Sequence, residues 1–540
     1  MKRWLVVSLA VTMVAALPVD AAAAQRGTRA PSRYEDLVTL FQEWRAFQRP
    51  MLAGGVPDYT AQAMAGQRRT LPAFQRRLAA LDTTGWTRAQ QVDWHLVRAE
   101  MNGLDFDHRV IRPWSRNPAF YVSVFPSRSD QPAREGHWAW GSLELWSYAF
   151  PLSPADATRM ADALRRIPPL LQQARRNLTS NAKDLWTMGI RSLRQQSTAL
   201  DALAARVADH ADLTAATRRA REATDTFVAW LEQQAPSKTG PSGIGIDNYD
   251  WYLKNVQLLP YTWQDEVALM RRELGRSRAA LALEEQRNRE LPPLALVTSN
   301  AEWQQRFHAA VGEYMHFFDR NGILTVRPYM EPALRARLGR FSPSPREFFS
   351  EVNYRDPIIM RTHDFHWIDL ARMEHDPHPS PIRRGPLLYN IFITRTEGLA
   401  TAMEEMMTEA GLLDAHPRSK ELIWILVAQR AARALGDLMM HANQFTIEQA
   451  VRFASAETPR GWLREDGNTV WGEQHLYLQQ PAYGTSYLMG KMEIERLLSD
   501  RAGQQGAAFS LKRFMDEFTD IGLIPMSLVR YEMLGQLEVR

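Results

Sequence analysis

The chain of 540 residues contains no cysteine. Disulfide frameworks, zinc ribbons, iron–sulfur ligation and thiol nucleophiles are therefore excluded, and any metal site is restricted to histidine and carboxylate ligands. An excess of one charge is also lacking. The 65 Lys+Arg and 61 Asp+Glu leave a formal charge of +4, too weak over this length to indicate a nucleic-acid partner. Long apolar runs are missing beyond the N-terminus. The longest, Leu422 to Ala428, is flanked by Glu421 and by Arg430 and Arg433, far short of the roughly 20 residues of a membrane span. No integral membrane segment is expected once the N-terminal segment is removed. No convincing series of alternating strands and no repeat at solenoid periods is present. What is there is 45% hydrophobic, 10% aromatic and 23% charged, the composition of a folded chain. The length suggests two to four domains or one large one.

The N-terminus reads as an export signal. Lys2 and Arg3 are followed by the apolar stretch Trp4 to Pro18 and by Asp20-Ala21-Ala22-Ala23-Ala24-Gln25, the order of basic start, short hydrophobic region and small-residue cleavage site. Residues 1–24 are expected to be cleaved, leaving a periplasmic or secreted protein. In an oxidising compartment the lack of cysteine avoids unwanted bridges, and it also excludes a lipoprotein anchor.

Helix signals dominate the remainder. Met160, Leu164, Ile167, Leu171, Ala174 and Leu178 form one apolar face, which Pro168-Pro169 should kink or split. Ser153 before Pro154, with Asp156 three residues on, reads as an N-cap. Helices are also expected over 217–234, 263–289, 301–318, 395–410, 419–443 and 446–456. Asn321-Gly322 leaves room for a short hairpin near Ile323 to Val326. The expected fold is thus all-α. The turn-rich stretch 237–245 is read as separating an N-terminal helical region, 25–236, from a C-terminal one, 246–540. Trp138, Trp140 and Trp146, with Trp114, Phe120, Tyr121 and Phe125, form an aromatic cluster that suits a packed core or an aromatic-lined cleft for a peptide or sugar.

Histidine and carboxylate density peaks between Arg361 and His378. On a helix His363 and His366 share a face, and two imidazoles so placed can bind one metal with a carboxylate, a catalytic site keeping a fourth position open. Such histidines also cap helices or pair with acids. Glu397 early in the next strong helix is either a dipole-favouring acid or a third ligand. Glu404, two turns on, is a solvated acid or a supporting one. Glu374 to Pro379 reads as a solvated loop.

The C-terminal half resembles the bacterial DUF885 family, helical proteins similar to gluzincin-type zinc peptidases. The resemblance rests on Glu397-Gly398-Leu399-Ala400, on the segment from His441 through Glu448-Gln449-Ala450, on Pro481-Ala482-Tyr483 through Tyr487 to Gly490-Lys491, and on the close Gly522-Leu523-Ile524-Pro525. The family's leading His-Glu pair is altered. Without a gap Met360 and Arg361 fall there; with a short deletion His363 and Asp364 do, aspartate replacing glutamate. The resemblance implies that His363, His366 and Glu397 bind zinc and that Asp364 is the general base. It makes Asp369 an alternative ligand or a residue that orients a histidine, and Tyr487 a hydrogen-bond donor to the developing oxyanion. Tyr483 would line the cleft, His441 would orient substrate or support the site, and His475 is an additional candidate. The implied function is an exported zinc-dependent peptidase-like hydrolase acting on peptides or related amides. The alternatives are a degenerate relative that binds peptide without hydrolysis and a periplasmic interaction or scaffold protein. The oligomeric state is not encoded in any of these features.

Overall fold

The periodic apolar segments become helices in the computed structural model, which describes residues 31–538; the signal-like residues 1–24 lie outside the described residues. The Pro154–Leu178 face divides at Arg166 into helices Pro154–Arg165 and Ile167–Asn177. Pro168 and Pro169 enter the first turn of the second, where a missing N–H costs nothing. Ser153 caps the first, its Oγ accepting from the Asp156 N–H at 3.1 Å. The longer helices follow as expected: Ala211–Gln234, Trp263–Arg287, Asn300–Arg320, Ile393–Glu409, Ser419–His441 and Ile447–Glu457. The architecture is all-α. Among the described residues, strand is confined to an antiparallel pair, Leu52–Ala53 with Val56–Pro57, and a parallel one, Val124–Phe125 with Leu143–Glu144. No helix among them is long and apolar enough to cross a membrane.

The hairpin considered near Ile323 is not formed. Asn321-Gly322 instead stops the Asn300–Arg320 helix: the Ile323 N–H reaches back to the Phe318 carbonyl at 3.0 Å and the Gly322 N–H to that of Asp319 at 3.2 Å. This double bond pattern is a helix-ending motif. Thr325 is then held by the Asp516 carboxylate, so no strand partner remains.

The apolar interior forms two bodies. The larger gathers residues of the first three long helices (Leu37, Leu96, Phe106) with most buried side chains from Ile244 to Met533. The smaller is built from Phe120 through Leu231, with Tyr59 and Met64. The turn-rich stretch is pinned to both sides: Thr239 and Gly240 donate to Asn181 Oδ1, Gly243 to Asn443 Oδ1 and Gly245 to the His441 carbonyl.

Helices Ile393–Glu409 and Tyr483–Gln505 pack tightly enough to meet backbone to backbone. A Cβ on Gly398 would lie 2.5 Å from Gly490 Cα, and one on Gly490 would lie 1.9 Å from the Thr394 carbonyl oxygen. Neither neighbour is a side chain that can move aside. Beneath the second helix lies a buried polar layer. Asp437 accepts from the Gly484 N–H at 2.8 Å, and Glu266 accepts from the Tyr249 hydroxyl at 3.1 Å. Burial raises Glu266 from 4.5 to about 8 and Asp437 well above its ordinary value.

Two outcomes are expected. Gly398→Ala should destabilise the protein by about 1–3 kcal/mol or more through overpacking, read as a lowered melting temperature. The Glu266 carboxyl, protonated in the fold where the unfolded chain is ionised, contributes stability fully present below pH 4.5 and lost as pH rises through about 8. Melting curves of Glu266→Gln should therefore lack this loss and gain on those of the unsubstituted protein between pH 5 and 9. Parallel pH profiles would count against this assignment.

Candidate functional site

Three side chains, each from a different helix, converge at one point. The Pro357–His363 helix ends on His363, and Phe365–His375 begins after the single junction residue Asp364. The break keeps His363 and His366 together, with ring centroids 5.1 Å apart and planes at 82°. Glu397 projects from the first half of the Ile393–Glu409 helix, which packs alongside. His363 Nε2 lies 4.0 Å and His366 Nε2 3.2 Å from Glu397 Oε2, and one ligand atom from each of the three falls within 4.8 Å of the other two.

Two imidazoles and one carboxylate so placed could hold a metal ion. Bonds of about 2.0–2.2 Å in tetrahedral array put neighbouring ligand atoms about 3.3 Å apart; His366 stands at 3.2 Å from Glu397 Oε2, and His363 at 4.0 Å would have to move inward. The supporting groups fit as well. His363 Nδ1 accepts a hydrogen bond from Arg430 Nη2 at 3.2 Å and lies 3.2 Å from Glu404 Oε1, so this pair fixes the ring's orientation. Glu404 is itself clamped by two bonds from Arg430, 2.6 and 2.7 Å. Tyr483 donates to Glu397 Oε1 at 2.6 Å and leaves Oε2 for the histidines. Without metal the cluster is an ion pair. Burial disfavours both charges, but mutual attraction prevails, raising His366 to about 9 with help from Asp130 and lowering Glu397 to about 2.

The other candidates from the sequence divide. Tyr487 belongs to the site: its ring stacks over that of His363 at 6.5 Å, with Arg430 and Arg433 on its face. Asp364 sits at the helix junction with Oδ2 3.1 Å from Arg361 Nη2. Asp369 does not meet the histidines. It forms a buried double ion pair with Arg395, on the helix that carries Glu397. His441 lies in the polar layer below, Nε2 2.9 Å from the Tyr477 carbonyl, and burial pushes it down to about 4. His475 bonds to Gln479 at 2.9 Å and is pushed by burial to about 3. Both are buried, neutral imidazoles outside the cluster.

The segment from Arg128 to Glu135, which carries no motif, closes the site from the N-terminal half. Gln131 Nε2 donates to Glu397 Oε1 at 3.1 Å and lies 3.4 Å from His366 Nδ1. Glu135 accepts from Ser129 at 2.7 Å and lies 3.4 Å from the Tyr483 hydroxyl. Burial, with Asp130 and Glu397 nearby, lifts Glu135 to about 7; Asp130 is raised by burial against the pull of His366. The only sequence signal was that these acids lie between members of the aromatic cluster.

Comparisons with known proteins give the fold context. No curated protein matches the sequence. The chain superposes on a candidate lipoprotein of unknown function from Shewanella oneidensis with a TM-score of 0.69 at 15% identity, covering 93% of this chain and 100% of that one. A candidate lipoprotein from Colwellia psychrerythraea gives a TM-score of 0.61 at 13% identity, covering 94% and 98%. These likenesses extend the fold to both halves. Residues 46–315 and 366–533 match the family described as "Bacterial protein of unknown function (DUF885)", with His363 and Asp364 in the interval between the matched segments. Over most of its length, therefore, the chain is a member of the DUF885 family.

Proposed function

We propose that the protein is an exported zinc-dependent hydrolase of peptide or related amide bonds, with His363, His366 and Glu397 as the metal ligands. The observation that carries this reading is the convergence of two imidazole nitrogens and one carboxylate oxygen within 4.8 Å, each ligand residue held by a further side chain. Zinc bound there supplies Lewis acidity to the carbonyl of a scissile amide. The chain's own groups do the rest. Arg430 and Glu404 fix the His363 ring from its Nδ1 side, and Tyr483 holds Glu397. Tyr487 offers its hydroxyl from beside His363. Glu135, lifted to about 7, can take or return a proton near neutral pH beside the Tyr483 hydroxyl. Export is supported by the N-terminal segment and by the description of both structural neighbours as candidate lipoproteins; this chain has no cysteine to lipidate.

One observation favours a second reading, a relative that binds peptide without hydrolysis. Asp364, the base by resemblance, is one methylene shorter than the glutamate it replaces and is ion-paired with Arg361 at 3.1 Å.

Metal analysis of protein lacking residues 1–24 and purified without added zinc should find about one zinc per chain. Glu397→Ala and either His363→Ala or His366→Ala should lose it, and Glu404→Gln should weaken binding about 10–100-fold. Asp369→Ala should keep the zinc while lowering the melting temperature, because Arg395 loses its partner at a cost of about 3–5 kcal/mol. A stoichiometry near zero that dialysis against zinc does not restore sinks the proposal. Zinc uptake with no hydrolysis of a peptide mixture selects the second reading.

A further inference from the structure

Beside the candidate site lies a cavity of about 250 Å³ walled by Tyr59, Trp114, Phe120, Trp138, Trp140 and Tyr389. Dry cavities of about 150 Å³ accept benzene, so this one has room for a large aromatic side chain. Its wall is continuous with the site. Glu135 reaches the Tyr483 hydroxyl, while the next residue, Gly136, lines the cavity and donates to Gln480 Oε1 at 3.0 Å. Gln480 also binds Asn390, at 2.7 Å, and its carbonyl accepts from the Tyr483 N–H.

The backbone around the cavity is unusual in three places. Asp107 opens a π-helical turn, Asp107–Ile111, a feature frequent at functional sites. Tyr389 and Asn390, neither a glycine, hold φ of 57° and 47°, a conformation that costs energy and persists only where the surroundings impose it. Here it lays the Tyr389 ring along the cavity. Charge within is neutralised in pairs: Asp107 lies 2.9 Å from His137, and Arg134 pairs with Glu144. Trp140 stands 41% exposed at the open side of this lining, an apolar surface that water leaves readily once a ring covers it.

We infer that this cavity is the specificity pocket of the site and takes an aromatic side chain of the peptide ligand, adjacent to the bond presented at His363, His366 and Glu397. The inference rests on the proposed peptide-directed function. Aromatic rings meet the six wall rings edge-to-face or offset-stacked, and the paired Asp107–His137 gives no free carboxylate for an ammonium group.

The test is calorimetric binding of N-acetyl-phenylalaninamide, N-acetyl-glycinamide and tetramethylammonium, each with zinc and in chelator, alongside metal analysis. Only the aromatic probe should bind, with similar affinity in chelator. Trp138→Ala and the surface variant Trp140→Ala should each weaken it roughly tenfold with melting curves and zinc content unchanged by Trp140→Ala. Equal binding of the glycine probe, preference for tetramethylammonium, or full affinity in both variants overturns the pocket assignment. Aromatic binding without zinc uptake supports the pocket and tells against the metal site; zinc uptake without aromatic preference does the reverse.

Discussion

The meeting of Gly398 with Gly490 governs the geometry of everything nearby. Two helices that touch backbone to backbone have little freedom to slide or separate, because the contact is made by atoms that cannot change rotamer. The residue before Gly398 is Glu397, and Tyr487 and Tyr483 lie one and two turns before Gly490. The closeness of this packing is what lets a short glutamate reach both a tyrosine on the neighbouring helix and a histidine on a third. The Glu-Gly pairing thus has a physical reading in which the acid supplies chemistry and the glycine supplies proximity.

Around that contact, charges are arranged in opposed buried pairs. Glu404 is offset by Arg430, Asp369 by Arg395, and Arg433 by Glu473. Each pair would be expensive to divide, so together they hold the helices that carry the site in register. Glu397 differs: among these acids it is the one whose cationic partner is histidine alone, a partner able to give up its proton and become a neutral ligand. A framework of permanent guanidinium pairs around one exchangeable imidazole pair separates stability from chemistry.

The helices were legible in sequence because their apolar spacing and caps are local properties, and the break at Pro168-Pro169 fell where the missing N–H allows it. His363, His366 and Glu397 were legible as candidates because their spacing and the family resemblance coincide. What remained hidden was set by distant contacts. Asp369 looks like a ligand in any histidine-rich segment; only the fold reveals Arg395 beside it. His441 and His475 carry the right chemistry, but spacing does not report that both are enclosed in the core. Asn321-Gly322 has the composition of a hairpin turn, yet a helix end uses the same conformations. Gln131 and Glu135 have no periodicity and no motif, and they reach the site across hundreds of residues.

That last distance has a consequence for how the site is assembled. Gln131 meets Glu397 across 266 residues of chain, whereas Tyr483 meets it across 86. Closing the longer loop costs about 1 kcal/mol more in chain entropy than closing the shorter one. The donors lie between 363 and 397 and His363 is supported from residues 404 and 430, whereas the groups on Glu397 come from residues 131 and 483. The Glu397 carboxylate is therefore fully dressed only when segments from both halves of the chain are in place, so the site belongs to the whole fold and not to its histidine-rich segment.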